Sequence, residues 1–348
     1  MGLPGIRTFV AATAKLGLFL GSLGLALVVG ELLARRQPSN EPYPLVYVGD
    51  RQDRPSDNFV KDLHTGWRLR PGHLYGQTID GRTGNYQSNA QGFRAATDFD
   101  PADPRPAITF LGDSFAYGIG VAQESTFAAL VQQALPMNAI YNFAMPGVGF
   151  DQMWMSLRHQ AAPFRPRLVI VAFIDDDFGR SQTAFRSRQG IGKPLFVLEA
   201  DTLRAARVGE RPNRVTRFLD AHSWLYHAAA NAMQGAGRHW PIGAWWRLSA
   251  AVARAMTADA RRIGAAILFV RLPLKEPPID FGTFRDLMTE LNAGFLDLND
   301  PKLGVPPGLH FHGDSHINEA GHRYVAEALL KWIRANQPAL SALAGAPR

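Results

Sequence analysis

The 348-residue sequence contains no cysteine, which excludes a disulfide framework, a thiolate nucleophile and any cysteine-ligated zinc or iron–sulfur site. Lysine is also scarce, since only six of the 37 basic residues are lysines. The formal charge of +7 comes mainly from scattered arginines, which form no cluster beyond the pairs at 35–36 and 261–262. A nucleic-acid-binding surface needs a basic stripe or patch, so we expect no nucleic-acid partner.

The sequence does contain enough apolar material for a folded core, because 46% of its residues are hydrophobic and 19% are charged. We divide it into an N-terminal membrane anchor or signal segment (1–36), a linker with a loosely structured lead-in (37–105), an α/β domain (106–337) and a C-terminal tail (338–348). An insertion of about 179–245 interrupts the α/β domain.

The N-terminal segment is apolar over a length that can span a bilayer. Residues 16–30 carry no charge, and extending the window back to Thr8 adds only Lys15. A helix of about 20 apolar residues crosses the hydrocarbon core of a membrane. Two interpretations stay open: a retained signal anchor, which we favour, and a signal peptide cleaved after Gly30. Both predict that the rest of the chain lies outside the cytoplasm, either tethered or periplasmic.

From residue 107 onward, short apolar runs alternate with helical patterns. The runs predict strands over 107–111, 139–143, 168–174, 265–270 and 294–298. Helices are predicted over 124–135, 251–262 and 319–335, the last with Asn318 as its N-cap. Strands that alternate with helices form parallel sheets through right-handed crossovers. We therefore predict a three-layer α/β/α domain with a five-stranded parallel sheet and a site at the carboxyl ends of the strands.

The connection between residues 174 and 265 is much longer than a single crossover helix requires. Within it, 194–198 and 202–206 are predicted to pair as a hairpin, and a helix is predicted from about 214 to 233.

A serine follows the first predicted strand, in the tripeptide Gly112-Asp113-Ser114. At a strand-to-helix turn its hydroxyl is expected to be exposed at the carboxyl edge of the sheet, near a helix N-terminus. Both features suit a nucleophile whose attack generates an oxyanion. The same tripeptide also occurs in ordinary turns, so alone it indicates little.

Asp314 and His316 stand two residues apart near the C-terminus. In an extended loop both side chains point the same way, so the carboxylate can hold one imidazole nitrogen while the other accepts a proton from a serine. The nearby histidines leave a metal site open as an alternative, although we expect no metal. His322, inside the last predicted helix, is expected on its exposed face.

Together these residues resemble the SGNH (GDSL-type) hydrolase superfamily, in its membrane-anchored bacterial branch. Ser114 matches the first motif block, Gly147 the second, and Asp314 with His316 the last, while residues 173–177 stand where the third block belongs. The stretch from Asn85 to Arg94 is similar to a lead-in seen in membrane-anchored members.

The resemblance implies a flavodoxin-like fold and serine esterase or acyl-transfer chemistry that needs no cofactor. It makes Ser114 the nucleophile, His316 the general base and Asp314 the partner that orients it. The backbone N–H groups of Ser114 and Gly147 would line the oxyanion hole. Asp113, although part of the motif, is interpreted as structural.

The third block departs from the family pattern, because Asp176 stands where an asparagine normally supplies a third oxyanion donor. An ionised carboxylate cannot donate a hydrogen bond and repels developing negative charge. Loss of one such donor costs ~10²–10³ in turnover. Three outcomes stay open: burial keeps Asp176 protonated, another group donates, or the chain is slow or inactive.

We therefore expect an extracytoplasmic serine esterase that cleaves acyl esters, such as O-acetyl groups on envelope carbohydrate, through an acyl-enzyme on Ser114. An O-acyltransferase that modifies envelope polysaccharide and a non-catalytic carbohydrate-binding protein stay open as alternatives. An α/β-hydrolase is excluded, because the second glycine of its nucleophile elbow is missing and the acid and histidine are only two residues apart. The sequence sets no expectation for the oligomeric state.

Overall fold

The computed structural model describes residues 4–36, 58–80, 82–181, 185–186, 191–199, 202–206, 215, 218–219, 222–226, 228–229, 242–275 and 280–345. The chain divides into two compact units. One unit comprises Met1–Leu45 with Arg211–His239, and the other comprises Val46–Glu210 with Trp240–Arg348.

The smaller unit contains one long helix, α1 (Pro4–Ala34). Its stretch Thr13–Ala34 is 22 residues long and is apolar enough to cross a membrane. The apolar side chains of this stretch are exposed, whereas the core helix of a soluble domain would bury them. The helix predicted at the N-terminus is therefore present, with the exposure expected of a membrane span or a signal sequence.

In the larger unit the strands are, in chain order, β1 (Phe59–Asp62), β2 (Gly66–Leu69), β3 (Leu74–Ile79), β4 (Arg82–Gln87), β5 (Ala107–Gly112), β6 (Ala139–Asn142), β7 (Leu168–Phe173), β8 (Phe185–Arg186), β9 (Ile191–Gly192), β10 (Leu195–Glu199), β11 (Thr202–Ala206), β12 (Ala266–Arg271) and β13 (Gly294–Asp297). Its α-helices are α2 (Ser114–Tyr117), α3 (Phe127–Ala134), α4 (Phe150–Ser156), α5 (Asp176–Arg180), α6 (Ile242–Arg262), α7 (Gly282–Glu290) and α8 (Glu319–Gly345).

Five strands form the predicted parallel sheet, in the order β13-β12-β7-β5-β6. Read from the other edge, this is the 2-1-3-4-5 order of flavodoxin-like folds. The central strands β5 and β7 are buried along their whole length, because helices cover both faces, as their continuous apolar sequences predict. The prediction of a five-stranded α/β/α fold is confirmed, and the chain reverses its strand order between β5 and β7, where ligands bind in such sheets.

The helices pack in two groups, with α3 against α8 and with α4 and α5 against α6. Two predicted helices are longer than expected. Helix α6 begins at Ile242 rather than at 251, and α8 runs to Gly345 although it contains Pro338. Leu340 packs against the hydrophobic core beyond this proline, so the residues assigned to a C-terminal tail instead extend the helix.

The described part of the segment assigned to a linker with a loosely structured lead-in is more regular than predicted, because it contains four strands between residues 59 and 87. Strands β1 and β2 pair as one antiparallel hairpin, and β3 and β4 pair as a second. Although the sequence of these hairpins is polar and rich in glycine, it contains a few large side chains that are fully buried, chiefly Trp67 and Tyr86. These aromatic anchors fix the hairpins, because burial of each contributes about 2–3 kcal/mol.

Within the predicted insertion, the hairpin of β10 and β11 forms as expected. Half of the residues in the helix predicted from about 214 to 233 are described, and all of these except Ser223 are helical.

His322 is fully buried, which corrects its predicted place on an exposed helix face. Its Nδ1 accepts a hydrogen bond from the Phe127 N–H at 3.2 Å, and its ring lies 5.4 Å from that of Phe127. Burial, with smaller contributions from the charges of Arg94 and His316, lowers the pKa of His322 to about 3. The imidazole is therefore neutral in the folded protein at ordinary pH.

We predict that His322 makes folding sensitive to mild acid. The unfolded chain binds this proton below its ordinary pKa of 6.5 and the folded chain only below about 3, so stability present above pH 6.5 is lost as the pH falls towards 3. The loss from this residue is about 2 kcal/mol between pH 7 and pH 5. Urea denaturation at both pH values measures it, with His322→Gln as the non-titrating control. Equal losses in the two proteins would contradict the assignment.

Candidate active site

Ser114, His316 and Asp314 meet at the carboxyl edge of the sheet, although Ser114 and His316 are 202 positions apart in sequence. Ser114 is the first residue of α2, directly after β5. Its Oγ lies 2.8 Å from His316 Nε2, and His316 Nδ1 lies 2.5 Å from Asp314 Oδ1. The hydroxyl, imidazole and carboxylate therefore form one continuous hydrogen-bonded relay of the kind used in serine hydrolases.

The carboxylate of Asp314 fixes the tautomer of the imidazole. Asp314 Oδ1 accepts both the backbone N–H of His316, at 2.8 Å, and the ring Nδ1–H. Partial burial alone would raise the pKa of Asp314, but these hydrogen bonds and the attraction of His316 lower it below its ordinary value. An ionised Asp314 can only accept, so Nδ1 carries the hydrogen and the Nε2 lone pair faces the serine hydroxyl.

Neighbouring groups hold the nucleophile and the base in place. The Asp113 carboxylate caps α2 by accepting the Phe115 N–H at 2.9 Å, which confirms the structural role predicted for Asp113. The Phe115 ring lies 4.8 Å from the ring of His316 and shields it. Ser114 is only 8% exposed, less than the sequence analysis expects, because the imidazole lies over its hydroxyl.

The two backbone N–H groups predicted to line an oxyanion hole follow neighbouring strands, Ser114 after β5 and Gly147 after β6. Ser114 lies at the start of α2, and Gly147 has φ +80°, in the left-handed region that favours glycine. Trp67 Nε1 donates a hydrogen bond to the Pro146 carbonyl at 3.1 Å. This carbonyl belongs to the same trans peptide as the Gly147 N–H, so the fully buried Trp67 fixes the direction of that N–H.

The buried Arg180 compensates the negative charges of two carboxylates, Asp113 and Asp177. Arg180 Nη1 donates to Asp113 at 2.8 Å, to Asp177 at 2.5 Å and to the Val148 carbonyl at 3.2 Å. Burial raises the pKa of Asp177, and repulsion from Asp113 raises it further. Burial disfavours the charge of Arg180, but Asp177 and Asp113 raise its pKa, so the guanidinium stays ionised.

The three aspartates after β7 have different surroundings. Asp175 forms two hydrogen bonds with the Arg271 guanidinium, at 2.7 and 2.6 Å, and Asp177 is fully buried beside Arg180. Asp176, between them, keeps 34% of its side chain exposed, with its Oδ2 4.0 Å from Arg180 Nη2. Asp176 is thus the most accessible of the three, and it follows β7 next to the strand that carries Ser114.

We predict that Asp176→Asn raises turnover of a short acyl ester by roughly 10–10³-fold. The amide removes a negative charge from the vicinity of the oxyanion and supplies a hydrogen-bond donor, which is worth ~10²–10³ in such sites. The variant Asp176→Ala, which removes the charge without adding a donor, separates the two effects and should gain less. An unchanged or lower rate in Asp176→Asn would mean that this residue has another role.

The lead-in also supports the turn that follows the nucleophile, and sequence reasoning missed this. The buried Arg94 donates to the carbonyls of Tyr117, Gly118 and Val121, at 3.0, 2.5 and 2.7 Å. Tyr86 accepts the Gly120 N–H with its hydroxyl at 2.6 Å. The motif from Asn85 to Arg94 therefore shapes the chain that leaves Ser114.

Two exposed residues hold the loop that carries Asp314 and His316. Asp80, at the turn between β3 and β4, accepts the N–H groups of His312 at 2.6 Å and of Gly313 at 3.0 Å. Lys275 Nζ donates to the carbonyls of Phe311, His312 and Asp314, at 3.0, 2.7 and 3.2 Å. Asp80 thus holds the loop through its N–H groups, and Lys275 holds it through its carbonyl groups.

We predict that Asp80→Ala lowers kcat by ~10–10² and leaves KM nearly unchanged, because a loosened loop misplaces His316. Asp80 has φ +50°, so Asp80→Gly tests whether the effect comes from the carboxylate rather than from backbone strain, and it should lose as much. Asp62→Ala is the matched control, since Asp62 accepts N–H groups within the first hairpin. Equal losses in the Asp80 and Asp62 variants would contradict this role.

Among the described residues, no group of three or more histidine, aspartate or glutamate side chains could hold a metal ion. His310, one of the histidines that left this alternative open, instead places its Nε2 3.1 Å from the Pro273 carbonyl.

No protein-family model and no curated protein sequence matches the chain. Among solved structures, TesA is similar at 12% identity and a TM-score of 0.40, over 66% of this chain and 98% of TesA. A lipolytic protein of the G-D-S-L family from Veillonella parvula is similar at 11% identity and a TM-score of 0.40, over 65% of this chain and 96% of that protein.

A catalytic mutant of Axe2, an acetylxylan esterase from Geobacillus stearothermophilus, is similar at 14% identity and a TM-score of 0.38, over 65% of this chain and 93% of Axe2. The solved structures to which this chain is similar thus include a lipolytic protein of the G-D-S-L family and an acetylxylan esterase.

Proposed function

We propose that the chain is a serine esterase of the SGNH type that cleaves acyl esters, with O-acetyl groups on envelope carbohydrate as the substrate class. The observation that carries the proposal is the relay from Ser114 Oγ through His316 to Asp314, with contacts of 2.8 and 2.5 Å. Ser114 is 202 positions from His316 in the sequence, so only the fold brings the serine to the Asp314–His316 pair.

The geometry supports a double-displacement mechanism. His316 Nε2 takes the Ser114 proton as Oγ bonds to the ester carbonyl carbon, and the Ser114 and Gly147 N–H groups stabilise the oxyanion. When the tetrahedral intermediate collapses, His316 returns the proton to the leaving alcohol and an acyl-enzyme remains on Ser114. Water then attacks this ester while His316 accepts its proton, and His316 returns that proton to Ser114 Oγ as the acid departs.

The exposed apolar surface of α1 supports a location at a membrane. We propose that α1 is retained as an anchor and that the hydrolase unit lies outside the cytoplasm, where envelope polysaccharides are found. Because the acyl-enzyme can also react with a sugar hydroxyl, O-acyl transfer uses the same residues and differs only in the acceptor.

The test is hydrolysis of 4-nitrophenyl acetate by the full chain in detergent micelles, followed by release of acetate from an O-acetylated polysaccharide. Parallel reactions with an unacetylated oligosaccharide, examined by mass spectrometry, detect acetyl transfer. Acetate release that depends on Ser114 supports the esterase, and an acetylated sugar as the main product would replace it with a transferase. Binding of the polysaccharide without either product would indicate a non-catalytic protein.

A further inference from the structure

The smaller unit joins the end of the proposed membrane anchor to a second segment, whose described residues are 215, 218–219, 222–226 and 228–229 and which we term the docked segment. The Glu31 carboxylate accepts the hydroxyl of Ser223 at 2.9 Å and the N–H groups of Trp224 and Leu225, each at 3.0 Å. Three hydrogen bonds to one carboxylate fix the docked segment against the last turn of α1.

Close packing accompanies these hydrogen bonds. A Cβ placed on Gly30 would lie 3.1 Å from Leu225 Cδ2, so the glycine leaves room for the Leu225 side chain. Ser223 in turn accepts the Tyr226 N–H at 3.1 Å and caps the turn that follows. The contact is therefore formed by both backbone and side chains.

The contact lies at the end of the apolar span. Glu31 stands three residues before the end of Thr13–Ala34, which corresponds to about 5 Å at the helical rise of 1.5 Å per residue. A span of this length ends where the hydrocarbon core meets the lipid headgroups. Anything held on Glu31 is consequently held at that boundary.

The docked segment has the composition of a membrane boundary. Val215 and Phe218 are 67% and 62% exposed, which is costly in water and favourable in the acyl-chain region. Trp224 and Tyr226 are aromatic residues of the type enriched at this depth, and both are half-buried. Arg35, whose Nε lies 3.5 Å from Glu31, follows the span at headgroup level.

We propose that the docked segment is an interfacial element that inserts Phe218 and Val215 at the boundary between the phospholipid headgroups and the acyl chains, beside the anchor. The proposal rests on the membrane anchor of the proposed function. It gives Glu31 a role at the end of an apolar helix, where an uncompensated carboxylate would be costly. The occupant of the exposed apolar surface is the bilayer, because the anchor enters that bilayer within one helical turn of the contact.

Single-cysteine spin labels test the proposal, since the natural chain contains no cysteine. The full chain carrying Leu18→Cys, Phe218→Cys or Met137→Cys is labelled with a nitroxide and placed in vesicles of phosphatidylcholine and phosphatidylglycerol. Accessibility to oxygen reports lipid contact, and accessibility to a water-soluble nickel chelate reports water contact. All three positions are exposed on the protein, so differences among them report the membrane.

We expect the label at 18 to be accessible to oxygen and protected from nickel, the label at 137 to show the reverse, and the label at 218 to lie between them. Adding Glu31→Ala should move the label at 218 towards water and leave the label at 18 in lipid. A label at 218 as water-accessible as that at 137, with 18 in lipid, would overturn the interfacial element and leave the anchor intact. A label at 18 in water would overturn both.

Discussion

Ser114→Ala should lower hydrolysis of a short acyl ester by at least ~10³-fold, because loss of a serine nucleophile removes the covalent route and leaves only binding and the oxyanion hole. The hydroxyl contacts His316 Nε2 at 2.8 Å, and no new side chain enters the site in the variant. Its free energy of unfolding should change by no more than ~1 kcal/mol, the value of one hydrogen bond. Initial rates and urea denaturation of the two full-length proteins measure both effects.

Ser315→Ala is the matched control, since Ser315 is an exposed serine in the catalytic loop between Asp314 and His316. It should retain the wild-type rate. Turnover by Ser114→Ala near the wild-type rate would remove Ser114 from the mechanism. A drop that accompanies a large loss of stability would show a folding defect instead of lost chemistry.

Asp314→Asn should lower kcat by ~10³–10⁴, with little change in KM. In the wild-type protein the Asp314 carboxylate accepts the Nδ1–H of His316 at 2.5 Å and leaves Nε2 free to accept the serine proton. An amide can present its NH₂ group to Nδ1, which favours the opposite tautomer with a hydrogen on Nε2. That tautomer cannot accept a proton from Ser114.

The pH dependence separates this explanation from a general loss of structure. Since general-base catalysis depends on the neutral imidazole, Asp314→Asn should recover part of its activity at high pH, where hydroxide replaces the base. Asp300→Asn, which alters a half-buried loop carboxylate that caps the turn of Lys302, is a control and should behave as the wild type. A kcat for Asp314→Asn within threefold of the wild-type value would contradict the orienting role.

The sheet and the catalytic relay could be predicted because their signals are local. Strands β5 and β7 are buried on both faces and read as unbroken apolar runs, and the relay residues lie in two short motifs, one after β5 and one in the loop before α8. The alternation of strands and helices indicates a parallel sheet, whereas the flavodoxin-like order of its strands is implied only by the resemblance to the SGNH superfamily. The triad geometry needed the fold, since His316 lies 202 positions from Ser114.

The lead-in hairpins could not be predicted from pattern, because their strands are short and their sequence is polar. Their importance lies in contacts between distant parts of the chain: Trp67 reaches Pro146 over 79 positions, and Asp80 reaches His312 over 232. The sequence does not indicate which distant loop a buried aromatic residue or a turn aspartate will contact. These contacts explain why a segment with the composition of a linker is ordered.

The sequence does, by contrast, contain a pattern that indicates the burial of His322. His322, Val325, Leu329 and Ile333 recur at helical spacing, and all four lie on the buried face of α8. The prediction that His322 lies on the exposed face of this helix overlooks that spacing. In the structure, a hydrogen bond from the Phe127 N–H offsets the cost of burying one ring nitrogen.

The most direct test of the account is covalent labelling of the full chain with a fluorophosphonate, which forms a stable ester only with an activated serine. Peptide mass mapping should find one adduct, on Ser114, and His316→Ala should abolish it because the base that accepts the serine proton is gone. Absence of an adduct on Ser114, or equal labelling in the His316→Ala variant, would contradict the claim that this relay activates a catalytic serine.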